Sequence, residues 1–268
     1  INNLKKNPPD ILALSNYSWN SNLSEYVASL AKKINPNIIV IQGGTNFPHQ
    51  PELQEIFLKE RTNTDFYTIL EGEKSCSNIV ERVISTNNDR EKIFESQIDG
   101  VVFIHPKTKK FIQGKYLERI KDLDEVPSPY LNGLLDKFFD GNLTPFIETN
   151  RGCPFTCSFC HTGADYFHKL NKFSEQRVKD EIDYIGKRAG KLGISNLHMA
   201  DVNFGMYPQD KLTCEYLKES KEKYGWPKQI MATTGKNSKD RIMEITKILG
   251  DTFAINMSMQ SMVYQNQQ

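Results

Sequence analysis

The sequence lacks any bias of charge: 34 Lys and Arg stand against 33 Asp and Glu in 268 residues. That near-cancellation removes the electrostatic footprint of a nucleic-acid binder, and no basic amphipathic run marks a membrane surface. No apolar stretch approaches the ~20 residues a bilayer span needs, and no secretory leader pattern stands out. Cysteine is scarce and odd in number, with five residues: Cys76, Cys153, Cys157, Cys160 and Cys214. Three of the five fall between positions 153 and 160, which does not make a disulfide framework. Such a distribution points to a reducing compartment, the cytoplasm, and to a metal site. There is no internal repeat and no low-complexity tract. The remainder, 38% hydrophobic and 25% charged, is the composition of a globular chain long enough for one large or two modest domains. The first residue is Ile1 and the last are polar, so the expectation is a piece of a longer protein.

The first third alternates strand and helix signals. Residues 11–14 read as a short buried strand. Asn22, with Glu25 three positions on, reads as a helix cap ahead of Leu23, Tyr26, Val27, Leu30, Ala31 and Ile34 at helical spacing. Pro36 ends that helix. Residues 38–41 are continuously apolar, as in a strand buried on both faces, and lead to Gly43-Gly44. A third strand fits 65–70, followed by Glu71-Gly72-Glu73 and a helix over 77–84. This order predicts a parallel, doubly wound sheet, with ligands beyond the carboxyl ends of its strands. An antiparallel pair follows over 101–104 and 111–113. Residues 117–130 hold two prolines and alternating charge and read as part of a linker.

A second β/α series begins near Pro145. Strands are expected at 146–149, 194–200, 230–233 and 253–257, each running into polar and glycine residues and then a helix. Ser174 reads as a helix cap and Gly190 as that helix's terminator. The pattern is that of a βα barrel whose chemistry sits on the loops after its strands. Four strands do not complete such a barrel.

The first of these strands enters the loop Arg151-Gly152-Cys153-Pro154-Phe155-Thr156-Cys157-Ser158-Phe159-Cys160-His161. Thiolates spaced C-x3-C-x2-C can wrap one soft-metal centre, zinc or iron–sulfur. A 4Fe-4S cube takes one ligand per iron, so three cysteines leave one iron open for chemistry. Zinc on the three thiols and His161 is the competing reading. Cys76 and Cys214 read as inert thiols.

At this loop the sequence resembles the radical SAM superfamily, in its C-x3-C-x2-C motif after the first barrel strand and in the aromatic Phe159 before the last cysteine. The resemblance implies that Cys153, Cys157 and Cys160 hold a 4Fe-4S cluster whose open iron binds S-adenosylmethionine. It implies reductive cleavage of that cofactor to a 5′-deoxyadenosyl radical, with an electron donor such as flavodoxin or ferredoxin. By position, Phe159 lies near the adenine, Asn203 near the methionine amino group, and Ser258 and Gln260 near the ribose. The family's glycine-glycine-glutamate after the second strand is replaced here by Asp201 to Gly205. A solvated turn is the alternative reading of Asp201 and Asn203.

The arrangement as a whole resembles the cobalamin-binding branch of that superfamily. The likeness is carried by the run from Asp10 to Ser15 with Trp19-Asn20, by the run from Pro36 to Gly43-Gly44, and by the segment Asp122 to Tyr130 before Arg151-Gly152-Cys153. It implies that Ser15, Gly43, Gly44 and Gly72 line a cobalamin pocket. No histidine stands in the Asp-x-His-x-x-Gly motif with which some such domains ligate cobalt.

The expected architecture is therefore α/β. An N-terminal Rossmann-like, doubly wound cobalamin-binding domain (residues 1–116, partial) is joined by a linker (117–143) to a partial radical SAM βα (TIM-like) barrel (144–268). The expected function is that of a cobalamin-dependent radical SAM enzyme, with methyl transfer to an unactivated carbon as the leading outcome. The substrate is a small molecule or peptide, and neither nucleic acid nor membrane is a partner. A radical SAM enzyme with an empty first domain and a zinc-stabilised binding module are the alternatives.

Overall fold

The structure is a computed structural model that describes residues 2–235 and 237–255. The chain divides into two compact units, Ile1–Arg119 and Ile120–Gln268.

After a short helix α1 (Asn2–Lys6), the first unit is built on a five-stranded sheet in the order β1-β2-β3-β4-β5. Strands β1 (Ile11–Ser15), β2 (Ile39–Gly43) and β3 (Phe66–Thr68) are parallel, and β4 (Val101–Ile104) and β5 (Phe111–Gln113) are added antiparallel. Alternate residues of each strand face opposite sides of the sheet. On one face, α2 (Ser21–Ile34) sets Ala28 and Ala31 against Leu12, Leu14 and Val40, and α3 (Pro51–Glu60) brings Leu58 onto Tyr67 and Val102. On the other face, α4 (Gly72–Ser85) and α5 (Arg90–Ile93) bring Ile79, Val83 and Ile93 onto Ile41, Phe66 and Phe103.

Helices thus cover both faces as expected, but the expected doubly wound order is corrected. Among the described strands the order climbs steadily and never reverses. Right-handed crossovers in one direction put α2 and α3 on the same face. The second face is covered because β3 to β4 is an antiparallel connection, which carries no such constraint.

Helix α2 also departs from the sequence reading. It begins at Ser21, and Glu25 makes no capping box: its Oε1 accepts Gln42 Nε2 of β2 at 2.7 Å. Ser24, Ala28 and Ala31 are the residues turned inward, while Leu23 and Tyr26 are 63% and 56% exposed. Close seating of the helix on the sheet favours its small side chains over its large ones.

In the second unit β6 (Phe146–Ile147), β9 (Asn196–Met199) and β10 (Gln229–Met231) are parallel in the order β10-β9-β6. Phe253 bridges in parallel to Ile230 on the far side of β10. Helices α6 (Glu175–Leu192), α7 (Asp210–Tyr224) and α8 (Lys239–Leu249) follow these three strands as expected; of the expected fourth strand, 253–257, Phe253 forms the bridge alone among the described residues, and 256–257 lie outside them. Val178, Ile182, Ile185 and Ala189 of α6 join Ile147, Leu197, Met199, Leu217, Trp226 and Ile230 in one core. Ser174 caps α6, its Oγ accepting Arg177 N at 3.2 Å. The helix ends at Gly193 (φ +70°) rather than Gly190. Gly190 serves the packing of α6 on α7, since a Cβ there would lie 2.2 Å from the Tyr224 carbonyl oxygen.

Part of the segment read as linker is bound to this unit. Asn171 Nδ2 donates to the Ile120 carbonyl at 2.8 Å, the Arg177 guanidinium to the Val126 carbonyl at 3.1 Å, and Ser128 Oγ to Glu181.

Candidate functional site

Strand β6 continues through Glu148 and Thr149 into β7 (Asn150–Arg151), which pairs antiparallel with β8 (Asn171–Lys172). This two-stranded ribbon closes the base of a loop, residues 152–170, that carries Cys153, Cys157 and Cys160. Gly152 opens the loop at φ +135°, and a Cβ there would stand 2.5 Å from the Lys169 carbonyl oxygen. Cys153 N donates to the Phe167 carbonyl at 2.8 Å, and Cys160 N to the Cys157 carbonyl at 3.0 Å. The three thiols differ in access: Cys153 is buried, Cys157 half-buried and Cys160 exposed. Phe159 is 78% exposed beside them. Among the described residues no group of three or more His, Cys, Asp or Glu converges as a ready cage for a metal ion. The fold supplies three thiols on one short loop with a fixed base.

The donor set still suits an iron–sulfur centre. Three thiolates are soft ligands for iron, and Cys153 Sγ already accepts a hydrogen bond from Asn203 Nδ2 at 3.3 Å, as a sulfur bearing negative charge would. Asn203 lies after β9, at the carboxyl end of the neighbouring parallel strand. The same turn holds Asp201, 1% exposed. The Asp201 carboxylate accepts Thr149 N at 2.8 Å, Thr149 Oγ1, Asn150 N at 3.4 Å and Asn150 Nδ2 at 3.0 Å. Burial pushes its carboxyl up to about 7, against the pull of these donors. Asp210, the first residue of α7, accepts Gly205 N at 2.7 Å and Tyr207 N at 3.0 Å, and burial pushes it up to about 6. The alternative of a solvated turn at 201–203 is thereby corrected: both Asp201 and Asn203 are buried and committed to the cysteine loop and its approach. Sequence reading missed Thr149 and Asn150, whose role depends on a partner 50 positions away. Ser258 and Gln260 lie outside the described residues.

In the first unit, strand register places Ser15, Gly43 and Thr68 in one row across the carboxyl ends of β1, β2 and β3. Gly72 begins α4, just beyond β3. Two of the glycines are required by the fold itself. A Cβ at Gly43 would lie 2.2 Å from Thr68 Oγ1, and one at Gly44 (φ +131°) 2.5 Å from the Asn16 carbonyl oxygen. Thr68 is the member of this row that sequence reading passed over. At the same edge Asn20 Nδ2 donates to Ser15 Oγ at 2.8 Å, and Trp19, 79% exposed, stacks on Tyr17 with ring centroids 4.7 Å apart. A flat aromatic pair open to solvent is a surface on which a planar ligand can stack.

The second unit thus presents a parallel strand, a three-thiol loop at its carboxyl end and a following βα series. Residues 147–263 match the model of the Radical SAM superfamily. It is similar to the cobalamin-dependent radical SAM methyltransferase TokK of Streptomyces tokunonensis, 32% identical over 267 residues, covering 94% of this chain and 36% of TokK. It is similar also to the 2-(S-pantetheinyl)-carbapenam-3-carboxylate methyltransferase of Streptantibioticus cattleyicolor, 31% identical, covering 94% of this chain and 36% of that protein. The chain thus spans about a third of the length of these curated relatives. Among solved structures, the cobalamin-dependent S-adenosylmethionine radical enzyme OxsB, with aqua-cobalamin and S-adenosylmethionine bound, superposes with a TM-score of 0.61 at 18% identity. That match covers 94% of this chain and 35% of OxsB, so the mixed α/β fold of such enzymes extends over both units.

Proposed function

We propose that this chain is the part of a cobalamin-dependent radical SAM methyltransferase that holds the 4Fe-4S cluster and S-adenosylmethionine on its second unit and cobalamin on its first. The observation that carries the reading is the loop of residues 152–170. It presents three thiols at the carboxyl end of a parallel strand and leaves no fourth cysteine nearby in sequence. Cys153, Cys157 and Cys160 would hold the cluster. When bound, it supplies the electron that splits the sulfonium C–S bond of S-adenosylmethionine, and cobalamin supplies the methyl group.

The chain's own residues do the positioning. The β7–β8 ribbon fixes the ends of the loop, Asp201 fixes its approach, and Asn203 orients Cys153. Exposed Phe159 would cover an adenine, and Ser258 and Gln260, by their position in the sequence, are the candidates for the ribose. Ser15, Gly43, Gly44 and Gly72, with the Tyr17–Trp19 pair, form the cobalamin edge. The glycines keep backbone accessible there, and the aromatic pair offers a stacking face. Similarity to two methyltransferases at 31–32% identity supports methyl transfer as the outcome. The substrate is a small molecule or peptide, the electron donor a flavodoxin or ferredoxin, and the compartment the reducing cytoplasm. Among the described residues no helix is long and apolar enough to cross a membrane.

Anaerobic reconstitution of the whole protein, with iron, sulfide and corrin measured together, tests the reading. Four irons and one corrin per chain are expected, with 5′-deoxyadenosine formed on reduction in the presence of S-adenosylmethionine. Zinc at the thiols, or iron without corrin, would overturn the cluster or the cobalamin assignment respectively.

A further inference from the structure

We infer that Asn203 is a positioning residue that tunes the cluster through Cys153 by hydrogen-bonding its sulfur, and is not a contact to S-adenosylmethionine. The inference rests on the proposed cluster site. Its geometric basis is the 3.3 Å approach of Asn203 Nδ2 to Cys153 Sγ, with both residues buried. An amide oriented the other way would set its oxygen against a sulfur lone pair, so the nitrogen facing the sulfur is the consistent assignment.

The donor is held rigidly from both sides. The Asn203 carbonyl accepts Met206 N at 3.1 Å, and Phe204 N donates to the Thr233 carbonyl at 2.9 Å. Phe204 also forms a parallel bridge with Thr234, so the turn is anchored to the chain beyond β10. Two residues earlier, Asp201 grips Thr149 and Asn150. The turn 201–204 therefore fixes the sulfur and the approach to its loop together, and the amide does not have to find Cys153 by a side-chain search.

A hydrogen bond to a cysteinate stabilises the more negative, reduced cluster more than the oxidised one, and it is strengthened where water is excluded. Asn203 thus raises the cluster's reduction potential and eases its reduction by the electron donor. Its neighbours on the loop lie in a wetter setting: Cys157 is half-buried, and Cys160, its Sγ 3.2 Å from Thr162 Oγ1, is exposed to water.

The test is a redox titration of the reconstituted whole protein, followed by the paramagnetic resonance of the reduced cluster, in wild type, Asn203→Leu and Asn203→Asp. Asn203→Leu keeps the γ-branched shape and removes the donor, so its midpoint should move to a more negative potential at full iron content. Asn203→Asp, titrated at a pH where its carboxyl is ionised, places a negative charge by the sulfur and should move it further in the same direction. Both variants should bind S-adenosylmethionine within about twofold of wild type. An unchanged midpoint in iron-replete Asn203→Leu overturns the inference. So does a large loss of S-adenosylmethionine affinity with the midpoint held, since that makes Asn203 a ligand contact. If Asn203→Leu fails to take up iron, the isosteric Asp variant supplies the readout on its own. Failure of the wild type to assemble a cluster is a different result and defeats the proposed function instead.

Discussion

Asp201 accepts the main-chain N–H of Thr149 at 2.8 Å across 52 positions of sequence, tying the end of one parallel strand to the start of its neighbour's loop. The tie has a sign in pH. Burial raises the Asp201 carboxyl to about 7, and that of Asp210 to about 6. A group whose folded-state value is raised contributes stability that is full below its unfolded value and is lost as pH rises through the folded one. The second unit should therefore lose stability from about pH 4 to pH 7, by on the order of 4 kcal/mol from Asp201 at 1.36 kcal/mol per unit. Asp201→Asn should flatten this slope. The Asn150 side-chain oxygen is buried without a partner, and turning that amide over would let it accept from the new one. Denaturant midpoints at about pH 5 and pH 8 check this. A variant retaining the wild-type slope would show that Asp201 is not its source.

Gly152 is required by backbone rather than by ligand. At φ +135° and with a Cβ 2.5 Å from the Lys169 carbonyl, Gly152→Ala strains the chain and pushes the β7–β8 ribbon apart. The cost should be on the order of 1–3 kcal/mol. Reconstitution should yield less iron per chain while far-ultraviolet circular dichroism stays near wild type. Full iron content at wild-type stability would refute the strain.

The carboxyl edge of the first unit's sheet separates two glycines by the kind of atom each would meet. A Cβ at Gly43 meets a hydroxyl that can rotate, whereas one at Gly44 meets main chain at positive φ. Gly44→Ala should therefore be the more damaging, by about 1–2 kcal/mol. Combining Gly43→Ala with Thr68→Ala should recover the loss seen in Gly43→Ala alone. Thermal melts of the four variants form the cycle. Strict additivity would mean that Gly43 and Thr68 do not interact.

Cys157 and Cys214 are both free thiols with opposite expectations. With Cys157 as a ligand of the proposed cluster, Cys157→Ala should abolish iron retention and 5′-deoxyadenosine formation. Cys214 is fully buried in the core of the second unit, and burial pushes its thiol well above the ordinary range. Cys214→Ala should keep the iron and lower the unfolding midpoint modestly, by about 1 kcal/mol. Iron analysis and a melt on each variant distinguish a ligand from packing.

The βα series of the second unit was legible because its strands are apolar, its helices periodic and its caps local, as at Ser174. The cysteine loop was legible from spacing alone. The unreadable parts depended on distant chain. Whether Asp201 was solvated or buried turned on Thr149 and Asn150, and no local signal links them. The capping role assigned to Glu25 failed because Gln42, on a different strand, is its partner. The inward face of α2 was misjudged because apolar periodicity counts large residues, while the sheet accepted Ser24, Ala28 and Ala31. Strand order failed for a related reason: sequence shows where strands fall but not on which side the next is added.

The ribbon formed by Asn150, Arg151, Asn171 and Lys172 gives the thiol-bearing segment a clasp of its own. Closing nineteen or so residues into a ring carries an entropic cost that grows only slowly with length. Here main-chain pairing at the neck meets that cost before any metal arrives. The three thiols are thereby held on one tethered hoop, Cys160 open to water and Cys153 in the interior.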